Sequence, residues 1–482
     1  MDCMTAQQLP ASTLIGLLGA WSDATGPAYR ALSERLRLLI ADGRIMPGSR
    51  LPSERELTDA LGVSRTTVAS AYRELRDRGY LTSRRGSGSV TALPSKVGPE
   101  LGRHHAPGIE TDGLYDFTCA ASPAAPGIST AVTEALEGLP YHLATPGYHP
   151  QGLPELRAEI AAAYDARGLP TSADQIVVTG GALAATCIAV RAMTQIGDRV
   201  LTESPTHPNS VDAIRRSGAR VVAAPMSPDG WDLPLLEATI RQTAPRAAWL
   251  VVDFQNPTGR LMPAADRQRL AIAFARSRTT AIVDETLFEL ALDGQEMPPP
   301  FAAFDPSGVI TVGSVSKSFW GGLRIGWLRV PETLVARILD ARASMDLGAP
   351  VLEQLVVTRL LRDRATILPE RRAGLRERRD ALAGALREVL PEWRFTLPGG
   401  GLSLWCELPA AVGSSLVGVA QRNGVLLVAG SRFSPEGGLE TFMRLPYTQD
   451  PDTLRHAASL LAASYEQLTE RPAARRTAAL IA

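Results

Sequence analysis

From Pro27 onward, Tyr29, Leu32, Leu36, Leu39 and Ile40 recur at three- and four-residue steps and mark one face of a helix that Gly43 ends. After a turn at Met46-Pro47-Gly48, Ser53 is placed to cap a short helix that runs to Leu61 and stops at Gly62. Ser64 caps a third helix, with Val68, Ala71, Tyr72 and Leu75 inward, Arg65, Thr66, Arg73 and Arg76 outward, and Gly79 at its end. Residues 80–90 read as a hairpin with a glycine turn. Helix, helix, turn, helix and hairpin over 22–90 predict a winged helix-turn-helix. Residues 1–21 carry little pattern and predict a loose arm.

Between 91 and 114 the pattern lapses into Pro, Gly, His and small residues, which predicts a linker. Over 115–466 short apolar runs alternate with helical stretches. The runs are Gln175–Thr179, Arg199–Thr202, Ala219–Ala224, Ala247–Asp253, Thr280–Asp284, Val309–Gly313 and Ile325–Val330. The alternation predicts an α/β domain, its mostly parallel sheet covered by helices on both faces. Later runs at Gly401–Leu408, Gly424–Ala429 and Phe442–Leu445 predict a smaller α+β subdomain, and the Ala- and Arg-rich residues 467–482 a flexible tail.

Composition narrows the function classes. A chain of 482 residues is too long for one core. Fifty basic residues balance fifty acidic ones, which excludes a uniformly basic coat and makes any charge specialisation local. The segment 22–90 holds twelve Arg against eight Asp or Glu, with Arg84 and Arg85 at the hairpin turn. Helix-turn-helix proteins set the N-terminal residues of the second motif helix against base edges, and wing arginines reach phosphate or the minor groove. Four scattered cysteines without CxxC spacing argue against a disulfide framework or metal site and fit a reducing cytoplasm. With no apolar run of 18 residues and no basic-plus-apolar leader, neither a membrane span nor export is expected.

The basic residues include only two lysines, Lys96 and Lys317. Arg replaces Lys readily on solvated surfaces, so a retained lysine points to chemistry that needs an amine able to lose its proton and form a Schiff base. Lys317 follows an apolar strand in Gly313-Ser314-Val315-Ser316-Lys317-Ser318, with Arg324 seven residues on. Hydroxyls, glycines and a guanidinium around an amine suit an aldehyde cofactor bearing a phosphate. Asp284 at a strand end can pair with a protonated pyridine nitrogen, and Asn256 in Asn256-Pro257-Thr258-Gly259 can donate to a phenolate. Gly181 and Ala182 open a helix as an anion nest, and His207 is a candidate to stack on a flat ring.

Two resemblances extend this reading. Pro47-Gly48-Ser49-Arg50-Leu51-Pro52-Ser53-Glu54-Arg55-Glu56-Leu57, followed by Leu61-Gly62-Val63-Ser64-Arg65-Thr66-Thr67-Val68, resembles the GntR family of bacterial winged-helix regulators. This implies that Arg55, Ser64, Arg65 and Thr66 face DNA; a further Arg found in some members is Ala69 here. Over about 115–465 the Ser-x-Ser-Lys…Gly-Leu-Arg-Ile-Gly-Trp run and Tyr148-His149-Pro150-Gln151-Gly152 resemble the fold-type I aminotransferases dependent on pyridoxal 5′-phosphate. That resemblance makes Lys317 the imine lysine, Asp284 the pyridine partner and Asn256 the O3′ partner. Gly181, Ala182, Ser314, Ser316 and Arg324 become the phosphate cradle and Arg444 a clamp for an amino-acid carboxylate. Because family sites lie at a homodimer interface, the same resemblance implies that Tyr148 reaches into the neighbouring subunit's site.

There are departures. Thr286 and Leu287 stand where a phenol usually donates to O3′, His207 where Tyr, Phe or Trp usually stacks, and Leu183 where Gln is frequent. Loss of the phenol weakens stabilisation of the O3′ phenolate. The two modules together resemble the MocR subfamily. This implies a cytoplasmic homodimeric regulator, nucleoid-associated when bound to a double-stranded operator, that senses pyridoxal phosphate or an amino compound through an aldimine at Lys317. Half-transamination remains chemically open, and the alternative is an aminotransferase carrying a DNA-binding module.

Overall fold

The structure is a computed structural model that describes residues 8–19, 21, 26–84, 88–92, 94 and 114–469. These fall in two compact units, one drawn from 1–104 and 125–134, the other from 105–124 and 135–482.

In the first unit, α1 (Ala11–Leu18), α2 (Ala28–Ala41), α3 (Glu54–Leu61) and α4 (Arg65–Asp77) precede an antiparallel hairpin of β1 (Leu81–Arg84) and β2 (Gly88–Thr91). The caps are those the sequence predicts. Ser53 and Glu56 form a reciprocal capping box, Gly62 takes a left-handed φ of 65° after α3, and the Ser64 hydroxyl accepts from Thr67 N at 3.1 Å. The arm expectation is corrected for α1. Leu14 and Leu18 are buried in one cluster with Leu32, Leu36, Leu57, Val68, Tyr72 and Leu75, so this helix closes the head's core. A second difference lies at 125–134, placed by sequence in the large domain. Its Ser129 N and Thr130 hydroxyl donate to the Asp42 carboxylate at 2.9 and 2.8 Å within the first unit. The predicted linker falls largely outside the described residues, as does the tail beyond Thr469, to which the last helix (Pro451–Thr469) extends.

The second unit opens with β3 (Tyr115–Asp116) and holds β4 (Ile176–Thr179), β5 (Arg199–Ser204), β6 (Arg220–Pro225), β7 (Ala247–Val251), β8 (Thr280–Asp284), β9 (Val309–Ser314) and β10 (Gly326–Arg329). The last seven form one sheet in the order β4-β10-β9-β8-β7-β5-β6, in which only β10 runs antiparallel to its neighbours. Strands such as Ala247–Val251 are buried throughout, as expected for a sheet covered on both faces. A smaller sheet joins β11 (Ser403–Glu407) to β14 (Phe442–Pro446) and β13 (Val428–Ala429), while β12 (Val425–Leu426) pairs with β3. The single run predicted at 424–429 is thus two strands, because its halves pair with different partners.

Candidate functional site

The strand order brings the chemistry to one edge. The carboxyl ends of β4, β5, β7, β8 and β9 point the same way, and the reversed β10 presents its amino end there. Open α/β sheets bind ligands at such carboxyl ends. A cavity at this edge is lined by Ala120, Ala182, His207, Phe254, Asn256, Asp284, Thr286, Leu287, Lys317 and Leu402 among others. A larger groove between the helices Leu233–Thr243 and Ala264–Ser277 has a wall of ordinary surface groups, including the Glu237–Arg269 ion pair, and no comparable chemistry.

One side of the pocket is built to hold an anion. Gly326 lies opposite both Thr179 of β4 and Ser314 of β9. That register sets Gly181, Ala182, Ser314, Ser316 and Arg324 together. Arg324 Nη2 donates to Gly180 O at 3.1 Å, and Ser314 Oγ accepts from Ser316 N at 3.1 Å. The helix Ala182–Met193 begins here, so its free amides and dipole add positive potential. A Cβ on Gly326 would meet Ala182 N at 2.7 Å, so only glycine permits this approach.

The reactive groups face that cradle. Lys317 Nζ donates to Ala120 O at 2.8 Å, and burial lowers its pKa from the usual lysine range. Burial raises the Asp284 carboxyl, while a hydrogen bond from Thr286 N at 2.8 Å opposes the rise. Burial, then Lys317 and Arg444, push His207 down to about 4, so its ring is neutral at pH 7; Nδ1 is paired with Ser210 Oγ at 3.0 Å. Arg444 donates to Thr118 O at 2.5 Å and Asn256 Oδ1 at 3.4 Å, and its guanidinium lies 4.9 Å from the Phe433 ring centre. Its Nε is buried without a hydrogen-bond partner among the described residues. Thr286 and Leu287, the positions where the family's phenol is expected, both line the cavity. Tyr148 is 67% exposed and does not line this chain's own cavity.

On the head, Ser64, Arg65 and Thr66 are exposed at the start of α4, and Arg55 is exposed on α3. Neither Arg55 nor Arg65 has an ionic partner among the described residues. Arg76, expected outward, is half-buried and 3.9 Å from Glu54. Arg84 ends β1 but its side chain lies outside the described residues, as does all of Arg85.

Residues 131–461 match the aminotransferase class I and II family, and residues 28–90 the bacterial regulatory proteins of the gntR family. Across 86% of this chain and 94% of the relative, the sequence is 29% identical to YdcR, an uncharacterized HTH-type transcriptional regulator of Escherichia coli. It is 32% identical to the probable rhizopine catabolism regulatory protein MocR of Rhizobium meliloti, over 65% of this chain and 67% of that one. The chain belongs to the MocR subfamily of GntR-type regulators. Its large unit is also similar to crystalline LysN, the alpha-aminoadipate aminotransferase of Thermus thermophilus complexed with N-(5′-phosphopyridoxyl)-L-leucine. The TM-score is 0.67 at 28% identity, covering 74% of this chain and 93% of that one. This MocR-type regulator thus joins a DNA-binding head to a pyridoxal-phosphate-binding domain.

The pocket fits that cofactor on its own chemistry: an amine of lowered basicity, an anion cradle closed to any Cβ, and a strand-end carboxylate. Sequence reasoning missed two participants. Ala120 contributes only a backbone carbonyl, which leaves no sequence signal. Glu203, fully buried at the end of β5, had the same signal as Asp284, an acid closing an apolar run.

Proposed function

We propose that this MocR-type regulator holds pyridoxal 5′-phosphate on Lys317 and senses either that cofactor or an amino compound whose carboxylate meets Arg444. The bound state then changes how a cytoplasmic homodimer presents its heads to an operator. The observation that carries the reading is the half-buried Lys317 amine, which lines one cavity with Asn256 and Asp284 at the sheet edge that also forms the Gly181, Ser314 and Arg324 cradle. The cofactor supplies an aldehyde that condenses with amines and a ring that draws electrons from them.

The chain's residues have separable tasks. Burial favours the neutral Lys317 amine, the nucleophilic form. The Gly181 and Ala182 amides, Ser314, Ser316 and Arg324 orient a phosphate, and Asp284 keeps a proton on a pyridine nitrogen. Asn256 donates to the phenolic oxygen, and the neutral His207 ring offers a flat face without adding charge beside Lys317 and Arg444. Tyr148 is available to the neighbouring subunit's pocket. An effector shifts the dimer only by its differential affinity for the two arrangements of the heads.

The lack of a phenol at Thr286 and Leu287 favours regulation over turnover, while the retained Lys317, Asp284, Asn256 and Arg444 keep a single half-transamination chemically open. Absorption spectroscopy of the protein mixed with pyridoxal phosphate tests the site. A visible band is expected in the native chain and none in Lys317→Ala; a native chain without the band overturns the assignment. Multiple turnover with any amino donor and keto acceptor would establish the enzyme reading instead.

A further inference from the structure

Glu203 sits at the centre of a buried network between two pocket-forming loops. Its side chain is 0% exposed. One carboxylate oxygen accepts from Val251 N and from Gln255 Nε2, each at 3.0 Å, and the other accepts from Trp231 Nε1 at 2.8 Å. All three partners are donors. The Gln255 amide also donates to Pro205 O at 2.7 Å, while its oxygen accepts from Thr258 N at 3.0 Å and Thr258 Oγ1 at 2.7 Å. Those contacts on both ends fix the amide's orientation. Gln255 N donates to Arg260 O at 2.8 Å, closing a turn that carries Asn256, and Pro205 leads through Thr206 to His207.

We propose that Glu203 is a positioning residue of the pocket: through the Gln255 amide its carboxylate holds the 255–260 turn so that Asn256 faces the cofactor's phenolic oxygen, and removal of its charge loosens that hold. The inference rests on the pyridoxal-phosphate reading above. A proton on Glu203 would face either the Trp231 N–H on one oxygen or the Val251 and Gln255 N–H groups on the other, with no acceptor to receive it, and would leave a weaker, uncharged acceptor for the remaining donors. Burial pushes this carboxyl up to about 7, against the pull of its hydrogen bonds from Trp231, Gln255 and Val251. Neighbours Ala224 of β6, Val251 of β7 and Trp231 are neutral, and Asp284 of β8 is the charged group that bears on it, raising it further. The hold is therefore strongest well above pH 7 and weakens as pH falls through about 7.

The test measures pyridoxal phosphate affinity from the visible band at about pH 6 and about pH 8 in the native chain, Glu203→Gln, Asn256→Ala and the double variant. The Gln side chain turns an amide nitrogen toward the same donors and stands in for the protonated acid. Native affinity should drop about tenfold between the higher and lower pH beyond any drop in Asn256→Ala, and Glu203→Gln should start from the weaker value. The double variant should bind no more weakly than Asn256→Ala alone. Independent, multiplying effects would overturn the inference. If Glu203→Gln fails to fold, the native chain and Asn256→Ala decide the matter: equal pH dependence in both overturns it. A native chain with no band at either pH removes the cofactor reading and this inference together, whereas a band with multiplying effects removes only the latter.

Discussion

A Cβ placed on Gly181 would stand 2.5 Å from Nη2 of Arg324, a separation no real side chain tolerates. Gly181 also has φ of 102°, which disfavours any L side chain. Gly181→Ala should therefore displace the guanidinium and weaken pyridoxal phosphate binding by about tenfold or more, with the fold retained. Equilibrium dialysis checks this, and unchanged affinity would remove Arg324 from the cradle.

Leu287 is buried and lines the cavity where a phenol is expected to donate to O3′. Leu287→Tyr should move the pH midpoint of the cofactor's visible band down by about one unit, because a donor on O3′ stabilises the deprotonated chromophore. A spectrophotometric titration of the loaded protein reads it directly.

His207 loses its proton more readily in the fold than in the unfolded chain, its pKa falling from 6.5 to about 4. The unfolded state thus binds more protons in that window. The resulting stability, up to about 3 kcal/mol, is complete above about 6.5 and is lost as pH falls toward 4. Urea midpoints of the large unit at about pH 7 and about pH 5 should converge in His207→Phe relative to the native chain. An equal separation in both would count against a neutral His207 in the pocket.

Arg65 is exposed at the first turn of α4 without an ionic partner among the described residues. Arg65→Ala should cost about 1 to 3 kcal/mol in operator affinity if it reads a base edge. If it contacts phosphate, the salt dependence should instead fall by about one unit of slope. Fluorescence anisotropy across salt concentrations separates these outcomes, and no change in either quantity excludes the proposed recognition helix.

Leu14 on α1 is fully buried in the head's core. Leu14→Ala should destabilise the head by about 2 to 5 kcal/mol, seen as an earlier melting transition. A mere arm would show no effect.

Much of the molecule was legible from local chemistry. Ser53, Gly62 and Ser64 act on neighbours a few residues away, so caps and helix ends follow from sequence order. The seven runs of the main sheet were visible because strands covered on both faces are continuously apolar. Lys317 stood out as one of two lysines among fifty basic residues, next to hydroxyls and glycines.

Tertiary structure decided what depends on distant segments meeting. Arg444 reaches Thr118 across 326 residues, and Lys317 reaches Ala120 across 197. No periodicity encodes such encounters, because they arise from strand order and register. Burial decided the protonation tendencies of Glu203, His207 and Lys317, since desolvation is a property of the packed surroundings. It also decided α1, whose few apolar residues become a core face only once α2 and α3 lie against them. The sequence by itself named the amine, the strand-end acid Asp284 and the reading head; packing determined which groups share the pocket and in what charge state.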